Sequence, residues 1–420
     1  MTSLSPAVQQ AVRSESAAGR VGWGAITLAG LGLWLALPPV ELRSPIVPFC
    51  LEGLAGVAGA WTAARGERRL GWGAVVFTGI CALLAWGATR SNVAHLDGAL
   101  TTSSGAGVVD WGQLTYNMFV FATPIAFAAI GGMFSERSGV VNIGLEGMML
   151  SGCFFGILGA DRFDSWELGL LTAAISGAVL GLIHAFFSVN VRSDQIVLGT
   201  AINFLALGIT GYFFIEIYGS EGTPGTGIPS IPDVHLHFLD QIPPHSYGEH
   251  SFWYQAFGQL NLMIWVLFAL VIVSYLFLFR TASGLRLRSV GEHPRAADTV
   301  GIDVYKVRYG AVILSGAIAS LGGAYLSIGY VHSFTENMTQ GRGFIGLAAL
   351  IAGNWRPGGA FAFALLFGFF GGLATRVQSY GYEYNVLVQS IPYVITLVAV
   401  VGVIGRSIPP ASVGRPYVKQ

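Results

Sequence analysis

Ionisable side chains inside apolar runs are the residues that could bind or relay an ion, and this sequence holds few of them. Glu52, Glu146 and His184 lie within runs of apolar residues, while Asp194 and Glu216 lie at the two ends of another run. Proton and ion relays in membranes are built from such residues. Lysine and arginine are absent from the centres of the runs. The pattern argues against an ion-driven mechanism, which stays open as an alternative.

The sequence also lacks the short motifs that bind nucleotide or catalyse hydrolysis. There is no G-x-x-x-x-G-K-[ST] phosphate loop, and no H-E-x-x-H or G-x-S-x-G motif. Cys50, Cys81 and Cys153 show no paired spacing, and the pair His235 and His237 has no cysteine or carboxylate cluster beside it. We therefore predict no catalytic residue, no metal site and no enzyme activity. Energy for any active transport must come from an ion gradient or from a partner.

The elements that position these residues are apolar runs of membrane-spanning length. The 420 residues are 53% hydrophobic and 10% charged, whereas soluble domains carry about 25% charge. Apolar runs of about 20 residues are typical of membrane helices. We predict an all-α polytopic membrane protein with about 11–12 membrane segments. The runs are Val21–Pro39, Ile46–Ala63, Gly71–Ala88, Leu114–Met133, Val140–Gly159, Leu168–Val189, Ile196–Tyr218, Phe257–Phe279, Val304–Tyr330, Phe344–Gly353, Gly358–Ala374 and Tyr384–Ile404.

Charge fixes a predicted orientation for these segments. The polar stretch Gly284–Ile302 follows the eighth run and carries Arg286, Arg288 and Arg295. Basic loops stay preferentially on the cytoplasmic side. Placing this stretch inside and letting every run cross leaves 17 of the 22 basic residues inside, so both termini are predicted to be cytoplasmic. The five outside are Arg43, Arg90, Arg162, Arg342 and Arg376.

The same stretch contains a short helix signal. Pro294 suits a first helical position, the next four residues are compatible with helix, and Gly301 is a stop. A short helix in a cytoplasmic loop is a feature that a partner protein could hold. Composition alone favours a solvated basic loop with a little local helix.

The tenth run is too short to span a bilayer core of about 30 Å as a regular helix. Gly341 and Gly343 precede it, and the polar stretch 354–359 follows it. We interpret it as a broken or re-entrant helix, and the basic C-terminal tail favours a broken crossing. Half-helices of this kind often lie beside a substrate path.

Three longer segments resemble a known family. Residues 136–150 (ERSGVVNIGLEGMML) resemble the signature of nucleoside-type ABC transporter permeases, within the ribose and branched-chain amino acid permease superfamily. Residues 288–302 (RSVGEHPRAADTVGI) resemble its ATPase-coupling loop, and residues 341–355 (GRGFIGLAALIAGNW) are a third match. The resemblance covers about Trp111 to Arg406. His293 stands where the family commonly has asparagine, a better helix cap.

The resemblance implies a set of partners. Two permeases and two cytoplasmic ATPases form an importer in a bacterial-type inner membrane, and an extracytoplasmic substrate-binding protein delivers the solute. The chain itself would bind no cofactor, and the partner subunits would hydrolyse ATP. A second, paralogous permease is expected, giving a heterodimer in membrane lipid without nucleic acid. The expected ATPase contacts are Gly291, Glu292, His293, Pro294, Arg295, Ala296, Ala297, Asp298 and Gly301.

The resemblance also divides the chain. We predict a cytoplasmic tail over residues 1–20, and about three membrane helices with an outer loop over residues 21–110. A permease core is predicted over residues 111–406 and a second cytoplasmic tail over residues 407–420. The core contains the coupling loop, residues 281–303, and an outer loop, residues 219–256. The role of the first three helices is not predicted.

A nucleoside is neutral and polar, so its path needs hydrogen-bonding groups rather than charges. The polar candidates within the core helices are Asn142, Glu146, Thr200, Asn203 and Ser315. Each has a structural alternative, because such side chains also bond their own backbone or tie helices together. Sugars and branched-chain amino acids remain alternative solutes. An ion-coupled secondary transporter is a less favoured alternative.

Overall fold

A computed structural model describes most of the chain. The described residues are 21–22, 24–26, 28–30, 32, 46–90, 111–219, 222–224, 227–242, 251–378 and 408–418. The predicted run Tyr384–Ile404 and most of Val21–Pro39 lie outside them, as do residues 1–20, 91–110 and 243–250 of the predicted tail and outer loops.

The chain divides into two units, of which the first contains a helical hairpin. Helix α1 spans Ile46–Ala64 and helix α2 spans Arg68–Arg90. The connection is short because Gly66 adopts a positive φ of 107°. These helices correspond to the second and third predicted runs.

The second unit holds all three family-like segments. Its long helices confirm the predicted multi-pass membrane protein, since six helices of the described residues are long and apolar enough to span a bilayer. They are Gly112–Arg137, Trp166–Val191, Gln195–Tyr218, Leu262–Arg280, Val304–Val331 and Pro357–Thr375. The helices are α3 (Trp111–Arg137), α4 (Leu145–Phe163), α5 (Trp166–Ala185), α6 (Gln195–Tyr218), α7 (Phe252–Phe257), α8 (Leu262–Arg280), α9 (Ala282–Glu292), α10 (Pro294–Thr299), α11 (Val304–Ala324), α12 (Arg342–Ala352) and α13 (Pro357–Gln378).

Glycine contacts bring α4, α5 and α11 close together. Gly177 of α5 lies against Gly316 of α11, and Gly181 lies against Val312, so the two helices run antiparallel. Gly323 of α11 lies directly against the backbone of α4. Small residues allow this approach in lipid, where apolar side chains alone give no preference for another helix.

Helices α5 and α11 also end alike. A π-helical turn extends each of them, over Phe186–Val191 and Tyr325–Val331. A residue with positive φ closes each turn, Arg192 at 61° and His332 at 56°. The two antiparallel helices therefore have matching ends.

The predicted outer loop contains a small ribbon. Strand β1 (Asp233–His235) pairs antiparallel with β2 (Gln259–Asn261), and a 3₁₀ turn covers His237–Gln241. The Asn261 side chain donates hydrogen bonds to the Ile231 carbonyl at 3.0 Å and to the Gly329 carbonyl at 3.3 Å. The ribbon is therefore tied to the end of the long helix that starts at Val304.

The predicted coupling loop is mostly helical. Helix α10 begins at Pro294 as predicted and ends before Gly301, but α9 precedes it where only a polar loop was expected. Leu287 and Val290 are buried on one side of α9. The Thr281 hydroxyl caps its first turn by accepting from the Gly284 amide at 3.1 Å. The many arginines and glycines of this stretch obscured an amphipathic helix.

Candidate coupling and translocation sites

The turn between α3 and α4 carries the first family-like segment. Gly139 adopts φ 94°, which only glycine tolerates well, and lets the chain reverse after Arg137. Side chains from two other helices fix Val141. Its amide donates to Gln195 Oε1 at 2.7 Å, and its carbonyl lies 2.9 Å from His184 Nε2. The first family-like segment is therefore held by α5 and the start of α6.

Glu146 joins the first segment to the third. Its Oε1 accepts from the Thr339 hydroxyl at 2.6 Å and the Gly341 amide at 2.7 Å, and its Oε2 accepts from the Gly343 amide at 2.6 Å. Helix α12 begins at Arg342, so the buried carboxylate lies at a helix N-terminus, where negative charge is favoured. A Cβ at Gly343 would lie 2.6 Å from the Glu146 Cα, so no larger residue fits there.

The other predicted path residues separate into two groups. Asn142 Nδ2 donates to Ser315 Oγ at 3.0 Å, and both side chains are fully buried. Asn203 accepts from the Gly147 amide at 2.8 Å and donates to the Ile143 carbonyl at 3.1 Å. The structure thus brings Asn142, Glu146, Asn203 and Ser315 together around the start of α4.

Thr200 lies apart from that group. It is exposed on α6, and its hydroxyl donates to the carbonyl of Ile196 in its own helix at 3.0 Å.

The side-chain oxygen of Asn142, Oδ1, is buried without a hydrogen-bond partner among the described residues. Buried polar atoms are nearly always paired, so such an acceptor needs an explanation.

Sequence reasoning missed the contact between Glu136 and Trp355. The Trp355 indole donates to the buried Glu136 carboxylate at 2.5 Å, across 219 residues of sequence. The Arg137 guanidinium donates to the Trp355 carbonyl from Nε at 2.9 Å and from Nη2 at 2.7 Å. Asn354 and Trp355 both have positive φ, 55° and 52°. Two consecutive residues with strained backbone persist only where their surroundings hold them. In the sequence, the only indication of this turn is the Trp-Arg-Pro stretch that follows a short helix.

Helices α9 and α10 present an apolar groove of about 490 Å³. Leu285 and Val300 on its rim are 60% and 74% exposed. Gly291 lies against the carbonyl of Arg137, so α9 contacts the first family-like segment directly. His293 makes no capping hydrogen bond to α10, as its replacement of asparagine predicted. The groove is lined by Leu285, Arg286, Ser289, Glu292, His293, Ala296, Ala297, Val300 and Ile302.

Residues 114–400 match the family described as the permease component of branched-chain amino acid transport systems. The chain belongs to this family. The resemblance inferred from the three segments is confirmed, and the protein is a multi-pass permease. Helices α1 and α2 lie before the matched residues.

Several relatives of this permease carry a solute in their names. The guanosine ABC transporter permease NupQ of Bacillus subtilis is 41% identical over 317 residues, covering 71% of this chain and 94% of that protein. The nucleoside permease NupC of Lactococcus lactis is 37% identical, covering 72% of this chain and 96% of that protein. The putative glucose permease TsgC13 of Haloferax volcanii is 34% identical, covering 61% and 75%.

Each of these three organisms holds a second permease that matches this chain at lower identity. A further guanosine permease of Bacillus subtilis matches this chain at 26% identity, and a further nucleoside permease of Lactococcus lactis matches at 24%. The nucleoside permeases among the relatives thus occur as paralogous pairs. No solved structure matches the chain.

Proposed function

We propose that this permease is one subunit of an ATP-driven importer for nucleosides. The observation that carries the proposal is the 41% identity to a guanosine permease over nearly its whole length. The hydrogen bonding of Glu146 is compatible with a neutral solute. Its carboxylate oxygens already accept hydrogen bonds from three donors of this chain, which leaves few lone pairs to coordinate a cation.

The energy is proposed to come from cytoplasmic ATPases that bind α9 and α10. The sequence holds no phosphate loop, and this exposed helix pair has an apolar groove suited to another protein. Seven of the predicted contact residues keep that assignment: Glu292, His293, Pro294, Arg295, Ala296, Asp298 and Gly301. Gly291 and Ala297 are buried within this chain and would support the helix pair from below. The chain itself binds no cofactor in this proposal.

Two further partners complete the proposed importer. The paralogous pairs among the relatives support a heterodimer with a second permease. An extracytoplasmic binding protein delivers the solute to the side that bears the β1–β2 ribbon. Both termini then lie in the cytoplasm.

The proposed path passes beside the start of α4. Asn142 Oδ1, an acceptor without a partner among the described residues, and the exposed Thr200 hydroxyl stay candidates for contact with solute. Glu146 and Asn203 bond the surrounding backbone, and Ser315 accepts a hydrogen bond from the Asn142 side chain, so all three act as positioning residues. A neutral polar ring bearing hydroxyl groups would exchange hydrogen bonds with such groups.

The solute is tested by deleting the gene for this chain and measuring uptake. Labelled guanosine and adenosine uptake should fall to background, while glucose, ribose and leucine uptake should not change. Restoring the gene on a plasmid controls for indirect effects. Loss of glucose uptake alone would instead support the sugar alternative that the 34% identical TsgC13 raises. Nucleoside uptake by the purified chain in liposomes, driven by an ion gradient without ATPase, would support a secondary transporter.

The ATPase contact is tested with Ala296→Trp and Val300→Asp, two changes on the exposed groove. Both should reduce co-purification of ATPase subunits and uptake. Lys306→Ala is the matched control, because Lys306 is an exposed side chain close to the groove in sequence but outside its lining. Normal assembly and uptake in both groove variants would contradict the coupling assignment.

A further inference from the structure

The C-terminal segment Ile408–Val418, here called the C-terminal strap, runs along the helix pair α9 and α10. Ser412 caps the end of α9. Its amide donates to the Gly291 carbonyl at 2.9 Å, and its hydroxyl donates to the Glu292 carbonyl at 3.0 Å. The last carbonyls of a helix have no partner within the helix, so the strap satisfies two of them. The Ala411 amide also donates to Glu292 Oε2 at 3.1 Å.

The far end of the strap reaches α10. The Tyr417 hydroxyl donates to Asp298 Oδ2 at 2.9 Å, and the ring packs edge-on against Tyr305 with centroids 6.0 Å apart. The ring is buried in one apolar cluster with Val290 and Ala297. Burial, the hydrogen bond to Asp298 and the negative charge of Asp298 raise the pKa of the Tyr417 hydroxyl above its ordinary value. It therefore remains protonated, and a donor, at neutral pH.

The strap also contacts the two turns that carry the other family-like segments. The Gly414 amide donates to the Gly139 carbonyl at 3.2 Å, in the turn between α3 and α4. The Ile408 amide donates to Asn354 Oδ1 at 3.1 Å, in the turn between α12 and α13. The C-terminal strap is eleven residues long and belongs to none of the three family-like segments. It nevertheless contacts all three of them.

Arg308 fixes the middle of the strap. This side chain is 1% exposed, and its Nη1 donates to the Arg415 carbonyl at 3.2 Å. Its Nε and Nη2 have no hydrogen-bond partner among the described residues. A buried cation is costly unless it is bonded, so the strap carbonyl is a contact that the fold depends on. Pro409, Pro410 and Pro416 further restrict the backbone of the strap.

We propose that the C-terminal strap transmits movement of α10 to the turns at Gly139 and Asn354. The inference rests on the proposed function, in which α10 is the ATPase contact. A segment hydrogen-bonded to α9, α10 and both turns moves with all of them, and its prolines make it stiff. Weakening the Tyr417 and Ser412 contacts would let α10 move without the turns, so that ATP hydrolysis continues while solute import falls.

The test uses Tyr417→Phe, Ser412→Ala and their combination in the full permease–ATPase complex. Each change removes one side-chain hydrogen bond and keeps most of the packing. Val418→Ala is the matched control, because Val418 is 47% exposed and next to Tyr417.

The first measurement is hydrogen exchange, which needs no solute. Each lost hydrogen bond should speed exchange of the Ala297 and Ile302 amides about tenfold. Transmission predicts that Tyr417→Phe also speeds exchange of the Val140 amide in the distant turn. If exchange becomes faster only in α10, or if no amide changes its exchange rate, the strap does not connect the two regions. This readout stands even if the solute proves to be a sugar.

The second measurement is solute imported per ATP hydrolysed. We expect the double variant to lower this ratio at least about fivefold, with each single variant intermediate and Val418→Ala unchanged. A merely structural role would lower import and hydrolysis together, leaving the ratio at the wild-type value, and that result would overturn the proposal. Absence of nucleoside import by the wild type would instead count against the proposed solute.

Discussion

The carboxylate of Glu146 accepts a hydrogen bond from the backbone amide of Gly343 at 2.6 Å. The contact joins the start of α4 to the start of α12, two helices nearly 200 residues apart in sequence. Gly341 and Thr339 donate to the other carboxylate oxygen. Glu146 therefore holds a short helix in place. This structural role explains why a carboxylate lies inside an apolar run, and no ion transport is needed to account for it.

Replacing Glu146 should destabilise the permease. Glu146→Ala leaves two amides and a hydroxyl without an acceptor, at a cost of at least about 2 kcal/mol. Glu146→Gln should destabilise the protein less. The glutamine side-chain oxygen still accepts the hydrogen bonds made to one carboxylate oxygen, and only those made to the other oxygen are lost. The melting temperature of the purified protein in detergent measures both. Glu336→Gln, at an exposed position, is the control. Equal melting temperatures in all variants would contradict the contact.

Trp355→Phe should also lower stability, by about 2 kcal/mol, because the buried Glu136 carboxylate loses its indole donor. Glu136→Gln should cost less, since its oxygen can still accept that hydrogen bond. Chemical unfolding in mixed micelles compares the two. Trp253→Phe is a control at a position that is 40% exposed. If Trp355→Phe and Trp253→Phe unfold alike, Glu136 does not depend on the indole.

Gly323→Ala tests the packing of α4 against α11. A Cβ at Gly323 would overlap the Met149 carbonyl, so the helices must separate. Overpacking of this kind costs about 1–3 kcal/mol. We expect lower yield in membranes and a lower melting temperature. Gly208→Ala has open space around the new methyl group and should behave as wild type. A stable Gly323→Ala protein would place the two helices further apart than described.

Gly291→Ala tests the direct contact between α9 and the first family-like segment. The added Cβ would overlap the Arg137 carbonyl, which forces α9 away from the turn after α3. Solute uptake should fall by about tenfold or more while the protein still inserts into membranes, since α9 lies outside the six membrane-length helices. Gly310→Ala, with no atom close to its Cβ, is the control. Unchanged uptake in Gly291→Ala would rule out a role for close contact at this point.

The sequence determined the parts that follow from local pattern. Apolar runs of membrane length predicted membrane helices, and six helices of that length are present among the described residues. The prediction succeeds because lipid demands a continuous apolar surface and internal backbone hydrogen bonding. Pro294 marked the start of α10, since proline fits a first helical turn. Three long segments predicted the family, which the match over residues 114–400 confirms.

Local pattern failed where a residue's role depends on distant neighbours. The five path candidates were chosen for polarity alone, yet Glu146 and Asn203 bond backbone of other segments and Thr200 bonds its own helix. Composition also hid α9, whose buried positions are spaced among glycines and arginines.

The C-terminal segment shows most clearly what only the tertiary structure decided. In the sequence, residues 408–418 are a short segment with three prolines and one arginine, for which we predicted only a cytoplasmic location. In the folded protein its backbone amides donate to the Gly139 and Gly291 carbonyls and to the Asn354 side chain. Every residue except proline offers such an amide, so these contacts leave no side-chain pattern in the sequence. Helix formation in lipid is a local property of the chain, whereas the contacts that join α10 to the bundle arise from partners over 50 residues apart.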